Sequence, residues 1–325
     1  MPDEQHANWI VNKIKELENT KASNPFFLGI GIVKQHTPLY APKKYFDMFP
    51  LDEIILPEIK NGDIDDTHYK DVYPPSEMGI NYYNKLKLSF PGNEGLKKFL
   101  RAYLACIAFM DDQVGKVLNA LENSKFSENT IVVFTSDHGW QMGQKEYLYK
   151  NSPWEESTKI PMIIKTPQKQ LGEVLEPVSL IDIYPTFIDL CKLQKTSSES
   201  NLELDGNSLH PLLEKPNSKT WAGSDGALTL LGVGINKPID GLGINKNKSA
   251  SWHIEIIKDL DNSYLKKQNY TLRTRDYRYI LYKDGSEELY DHHNDPKEWN
   301  NLSSKKNYQK VKDKLRKQLL SKIKT

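Results

Sequence analysis

Cysteine is nearly absent. The 325 residues contain two, Cys106 and Cys191, too few for a disulfide framework or a cysteine-rich zinc site. Each lies in an apolar, helix-like pattern, so both read as buried thiols. Long hydrophobic runs are missing as well: nothing approaches the roughly 18 apolar residues a membrane span needs, and the mean hydropathy is -0.63. That excludes an integral membrane protein built from helices. Charge of one sign is also lacking, with 44 Lys+Arg against 43 Asp+Glu, whereas a dedicated nucleic-acid binder shows a basic excess. There is no internal repeat. Nor does a charged-then-apolar leader open the chain: Met1 runs into Asp3, Glu4 and the amphipathic pattern Ala7, Ile10, Val11, Ile14, Leu17, so no secretory signal is read.

What is present is an alternation of helix and strand signals over roughly the first half, the pattern of an α/β domain with a mostly parallel sheet. The length suits one large core with a smaller appendage, because single cores stop growing at about 250–300 residues. Phe26 to Ile32 is a nearly unbroken apolar run, which predicts a central strand buried on both faces and ending in the loop Val33 to Pro38. Residues 40–92, rich in Pro, Asp and Tyr, predict a long, partly ordered loop. Leu96, Phe99, Leu100, Tyr103, Leu104, Ile107, Met110, Val114, Val117, Leu118 and Leu121 keep one apolar stripe, predicting a helix from about Gly95 to Asn123. Strands are predicted at Thr130 to Thr135 and Pro161 to Ile164, and a helix at Ile181 to Leu190. The Gly-, Asn- and Lys-rich stretch from Trp221 to about Ser251 reads as a connector. A hairpin (Tyr270 to Thr274, Tyr277 to Tyr282), a short strand at Glu288 to Tyr290 and a basic terminal helix complete an α+β appendage. The expected domains are therefore 1–220 and 221–325.

Ligands in open α/β sheets bind at the carboxyl ends of strands. The strand ending at Thr135 delivers Asp137 and His138 to that edge, an oxygen donor beside a nitrogen donor. The run ending at Ile32 delivers His36, and Lys150 is a candidate anion holder. Each has a plainer reading: Asp-His-Gly is also a common turn, a histidine in a Pro-containing loop is often a surface residue, and the chain is full of lysines.

The segment TIVVFTSDHGWQMGQKEYLYKNSPWEESTKIPMIIKTP, which starts at Thr130, resembles the sulfatase family of the alkaline-phosphatase-like superfamily, and within it most resembles the iduronate-2-sulfatase branch. The likeness recurs in NPFFLGIGIVKQHTPLYAPKKYFDMFP (24–50), LRAYLACIAFMDDQVGKVLNAL (100–121), VSLIDIYPTFIDLCKL (178–193), LDGNSLHPLL (204–213) and RTRDYRYILYKDGSEELYDHHNDPKEWNNLS (273–303). It implies an alkaline-phosphatase-like sandwich and hydrolysis of sulfate esters on a sulfated sugar or polysaccharide. Asp137 and His138 would be ligands of one divalent cation, normally calcium. Lys150 would hold a sulfate oxygen. His36, in the family's K-x-H-x-P loop, would bind the ester and protonate the departing oxygen. These roles suit the chemistry, since a sulfate ester is shielded by its own negative charge until a cation neutralises its oxygens, and a histidine is suited to proton donation.

Two departures stand out. Where the family commonly reads Gly-Glu-His-Gly, this chain has Gly143-Gln144-Lys145-Glu146, which puts the local charge in question. The family's nucleophile is a formylglycine made from Cys or Ser in a C/S-x-P/A-S-R segment, and neither Cys106, Cys191 nor any serine has that context. The chain is accordingly expected to match the carboxyl-terminal two thirds of a sulfatase, with the first part of the sheet missing, the isolated chain inactive, and a preceding sulfatase segment as a partner beside the sulfated carbohydrate. The alternatives are an inactive remnant or carbohydrate-binding fragment, and a phosphodiesterase of the same superfamily. Family members are usually periplasmic, secreted or lysosomal. Asn247, Asn269 and Asn301 fit the glycosylation pattern. The basic helix at Lys305 to Lys324 (Val311, Leu315, Leu319, Ile323) reads as a packed helix with a solvated face, so neither nucleic acid nor membrane is expected as a partner.

Overall fold

The structure, a computed structural model, describes residues 1–20, 24–72, 78–168, 171–194, 203–216, 218, 221–223, 225–232 and 268–323. Helix α1 (Pro2–Asn19) starts with proline at its first turn and Asp3 and Glu4 behind it, which suits the positive end of the helix dipole. Its buried stripe Ile10 and Ile14 packs with Leu121, Leu28, Val117 and Val132. Asp3 is buried with a purpose: its two carboxylate oxygens accept the backbone N–H groups of Val33 and Lys34, each at 3.0 Å.

The next segment corrects an expectation. Phe26 to Ile32 forms no ladder with any described strand, and Phe27 is 79% exposed. An apolar, β-branched run becomes a strand only when neighbouring strands take up its backbone groups. Residues 40–92 are also more regular than expected. They include short helical turns at Lys43–Phe46 and Tyr69–Val72 and a full helix, α2 (Met78–Ser89). Helix α2 shows little periodicity because Gly79 and Tyr83 are its buried residues. Gly79 is required there: a Cβ would stand 2.1 Å from the Tyr147 ring.

Helix α3 (Glu94–Glu122) has the predicted extent, but of the predicted stripe only Leu96 and Leu121 are buried; Ala105, Cys106, Phe109 and Gln113 are the other buried side chains, and Leu118 is 43% exposed. Cys106 is buried as expected, while Cys191, just past a helix end, is exposed. Strand β1 (Val132–Thr135) leads to the short hairpin β2 (Gln141–Met142) and β3 (Leu148–Tyr149), then to β4 (Met162–Lys165). Strands β1 and β4 pair antiparallel, from Val132↔Lys165 to Thr135↔Met162. The expectation of a mostly parallel sheet therefore fails among the described residues: every described ladder is antiparallel. Helix α4 (Ile183–Leu190) follows a short 3-10 turn, as predicted.

The carboxyl-terminal unit is a four-stranded antiparallel sheet in the order β5-β6-β7-β8, with β5 at Ala227–Leu231, β6 at Asn269–Arg273, β7 at Tyr277–Leu281 and β8 at Glu287–Asp291. Strand β5 lies inside the stretch expected to be a connector; residues 224 and 233–251 of that stretch, Asn247 included, lie outside the described residues. Alternation along the strands covers both faces. Tyr270, Leu272, Tyr279, Leu281 and Leu289 pack against Leu315 and Leu319 of helix α5 (Gln309–Lys322), each fully buried leucine contributing about 1.5–3 kcal/mol. Ile280, Tyr282 and Tyr290 face the other way, onto Ile64, Tyr69, Tyr147 and Trp154. Asn269 is fully buried in this sheet and accepts the Lys283 N–H, which does not suit a glycan. No helix among the described residues is long and apolar enough to cross a membrane.

Candidate functional site

Strand β1 stops at Thr135, and Ser136 to Gly139 turn back toward the hairpin. Within that turn Asp137 Oδ2 and His138 Nε2 stand 3.4 Å apart. Two ligands about 2.4 Å from one ion and at right angles stand about 3.4 Å apart, so the pair can grip a single cation without rearrangement. The imidazole is set for it. His138 Nδ1 donates to the Gly139 carbonyl at 2.8 Å, which leaves the lone pair on Nε2, the atom facing Asp137. The Asp137 side chain is 82% exposed and so keeps lone pairs for an ion. The donor chemistry fits two positions of a calcium- or magnesium-type site, with imidazole widening the choice of metal.

Gly139 anchors the turn. Its N–H donates to the Ser157 carbonyl at 2.8 Å, and a Cβ there would stand 2.2 Å from Glu156 O and 2.6 Å from Lys159 O. Only glycine allows the two backbones so close. Trp140 then packs between Tyr103, with ring centroids 5.3 Å apart, and Tyr149, edge-on at 5.2 Å. This fixes the hairpin to α3.

The register Gln141↔Tyr149 sets the end of β3 beside the start of β2, and Lys150 is one residue past that end. Tyr149 has φ +77°, a left-handed conformation that an aromatic residue adopts only under constraint, and it redirects the chain immediately before Lys150. The Lys150 side chain is half-buried. Asp137 and His138 thus precede the β2–β3 hairpin and Lys150 follows it. The structure does not place His36 among them: His36 is exposed, its Nδ1 lies 2.7 Å from the Thr37 carbonyl, and among the described residues no contact joins it to the other three. Its loop is nonetheless held, through the Asp3 contacts to Val33 and Lys34 and through Lys34 Nζ, 3.6 Å from the Tyr40 ring centroid.

The departure at Lys145 resolves simply. Lys145 is buried, its ammonium paired with Asp63 Oδ1 at 3.0 Å and turned away from the site. Residues that sequence reasoning missed lie behind the turn. Glu155 and Glu298 hold the buried Arg278 between them, Arg273 Nε meets Glu155 Oε2 at 3.0 Å, and His292 Nε2 meets Glu298 Oε1 at 2.8 Å. Burial opposes ionisation of Glu298, yet Arg278 and His292 outweigh it and bring its pKa down to about 2. Glu155, His292 and Glu298 offer three ligand atoms within 4.8 Å of one another, but two guanidiniums already neutralise them and would repel a dication at contact distance. We read the cluster as an ion-pair lock between the carboxyl-terminal sheet and the segment that receives Gly139. It borders a cleft of about 740 Å³ lined by Glu155, Glu156, Lys159, Arg273, Arg275 and His292 among others. No periodicity announces such a lock.

The family described as sulfatase matches residues 3–193, and that described as N-sulphoglucosamine sulphohydrolase, C-terminal, matches residues 230–325. A sulfatase of Formosa agariphila is 33% identical over 304 residues, covering 93% of this chain and 50% of its own length. Iduronate 2-sulfatase of Homo sapiens is 27% identical over 229 residues, covering 60% of this chain and 40% of its own. The crystal structure of a phosphonate monoester hydrolase of Agrobacterium radiobacter superposes with a TM-score of 0.71 at 23% identity, over 98% of this chain and 60% of that one. At that identity the likeness shows the fold, the alkaline-phosphatase-like fold of the sulfatases. The chain spans about half the length of the curated relatives it matches. Matched across most of its length by a single family, the chain belongs to the sulfatases.

Proposed function

We propose that residues 1–220, with 221–325 as a supporting subdomain, supply the cation- and sulfate-binding part of a sulfatase site that hydrolyses sulfate esters of a sulfated sugar or polysaccharide, with iduronate-type substrates the first to try. The observation that carries this is the Asp137–His138 pair, 3.4 Å apart with the histidine tautomer set by Gly139, just ahead of the hairpin that Lys150 follows. Asp137 Oδ2 and His138 Nε2 would hold the divalent cation, calcium in the first instance. When bound it supplies positive charge to the sulfate oxygens. Lys150 would take another sulfate oxygen, so that the negative charge shielding sulfur is offset from two sides. The attacking group in this reading is a formylglycine hydrate, and no C/S-x-P/A-S-R segment occurs in the 325 residues, so it comes from residues outside this sequence. In this reading the hydrate hydroxyl gives its proton to water as its oxygen bonds to sulfur, the ester S–O bond breaks, and the sugar oxygen would take a proton from His36, whose loop would have to approach the site for it.

A non-hydrolytic carbohydrate-binding role would use the same residues and is the second reading. Hydrolysis of an aryl sulfate distinguishes the two. The purified chain alone should turn it over negligibly, and addition of a sulfatase segment bearing the nucleophile should restore turnover that Asp137→Ala abolishes. Turnover by the chain alone that survives Asp137→Ala would refute the assignment. A mixture of the chain with that segment that binds sulfated sugar without turnover supports the binding role.

A further inference from the structure

Three buried polar side chains lie close in the chain to the turn carrying Asp137 and His138 or to Lys150, and none of them takes part in the proposed chemistry. Gln141, Ser152 and Ser157 are 0%, 2% and 3% exposed. Ser152 Oγ lies 2.5 Å from Gln141 Oε1, Ser157 Oγ lies 3.1 Å from the same oxygen, and the two hydroxyls are 2.6 Å apart. Two hydroxyl protons serve these three contacts. The two shorter ones assign them: Ser157 donates to Ser152, and Ser152 donates to the Gln141 carbonyl oxygen. The Gln141 amide in turn donates to Gln144 O at 3.3 Å.

Gln141 and Ser152 lie within three residues of His138 and of Lys150 respectively, and Ser157 is bonded to the turn itself. Gln141 opens β2 directly after the turn. Ser152 lies just past Lys150. Ser157 uses its own carbonyl to receive the Gly139 N–H at 2.8 Å, and so joins the other end of the turn. Burying three polar side chains is costly unless each is satisfied, and an apolar trio of similar volume would fill the same space at no such cost. A directed polar chain fixes distances and angles more narrowly than apolar contact does.

We propose that Gln141, Ser152 and Ser157 are positioning residues that set the Asp137–His138 pair against Lys150, so that a divalent cation and the lysine ammonium reach one sulfate group together. The proposal rests on the reading of Asp137 and His138 as cation ligands. Its reach goes further, because it assigns function to residues that touch neither cation nor sulfate.

Terbium(III), a luminescent stand-in for calcium, titrated into the full chain tests it, with thermal unfolding followed on the same samples. Ser157→Ala and Gln141→Leu should each weaken terbium binding about tenfold or more, the usual size of a loss in the hydrogen bonds behind metal ligands. Ser157→Thr, which keeps the hydroxyl, should restore the parental affinity. A trio that merely stabilised the fold would lower the melting temperature and leave the affinity of the folded protein unchanged. That result overturns the proposal, as does a Ser157→Thr variant as weak as Ser157→Ala. If Gln141→Leu does not fold, the Ser157 pair of variants decides alone. A parent chain that binds no terbium overturns the cation reading, and this proposal with it.

Discussion

The Lys145 ammonium stands 3.0 Å from Asp63 Oδ1 with both side chains almost fully buried, and the same ammonium reaches the Glu298 carbonyl and lies 5.0 Å from the centroid of the Tyr290 ring. A lysine that departs from the family's usual histidine is therefore a joint between the hairpin and the carboxyl-terminal sheet, and adds no charge at the candidate site. Removing one partner leaves the other as an uncompensated buried charge, which costs about 3–5 kcal/mol. Asp63→Asn should lower the urea-unfolding free energy by that order. A loss below about 1 kcal/mol, the value of an exposed pair, would contradict the burial.

Glu298 ties stability to acid pH. Burial raises its pKa, but Arg278 and the hydrogen bond with His292 prevail and hold it at about 2, below the ordinary 4.5. A folded pKa below the unfolded one gives stability that is complete above the unfolded value and lost as pH falls. The denaturation midpoint should therefore drop as pH is lowered from 4.5 toward 2, and the drop should be shallower in Glu298→Gln, which has no charge to lose. Parallel curves for the two proteins would contradict this assignment.

Gly139 offers a sharper lesion. With a Cβ placed 2.2 Å from the Glu156 carbonyl, Gly139→Ala must push the turn off the segment that receives it. Overpacking of this kind costs about 1–3 kcal/mol, and here the displaced atoms carry Asp137 and His138. Thermal unfolding should show the loss, and cation affinity should fall with it. An alanine variant with parental stability and affinity would mean that the turn is free to move.

Sequence patterning reached the parts of the molecule whose signal is local. The extent of helix α3 was legible from the apolar spacing of Leu96 through Leu121, although its most buried positions, Ala105, Cys106 and Phe109, lie off that stripe; the hairpin at Tyr270 to Leu281 was legible because β-branched and aromatic residues alternate across two faces. Phe26 to Ile32 misled because an apolar run names a strand only if partners exist to pair with it. Helix α2 hid because Tyr83 anchors it nearly alone. Asp137, His138 and Lys150 stand out in the sequence through the family resemblance, whereas the bonds among the residues around them carry no local signal. Gln141, Ser152 and Ser157 lie 11 and 16 positions apart along the chain, and the lock from Glu155 to Arg278 spans 123. Such contacts follow no period and surface only once the chain is folded.

Isothermal titration of calcium into the chain and its variants tests the central claim most directly, namely that Asp137 and His138 hold the cation. The account predicts one calcium per chain, lost in Asp137→Ala and in His138→Ala and kept in Glu155→Gln. Calcium binding that persists without Asp137 and disappears in Glu155→Gln would contradict it, moving the ion to the cluster of Glu155, His292 and Glu298.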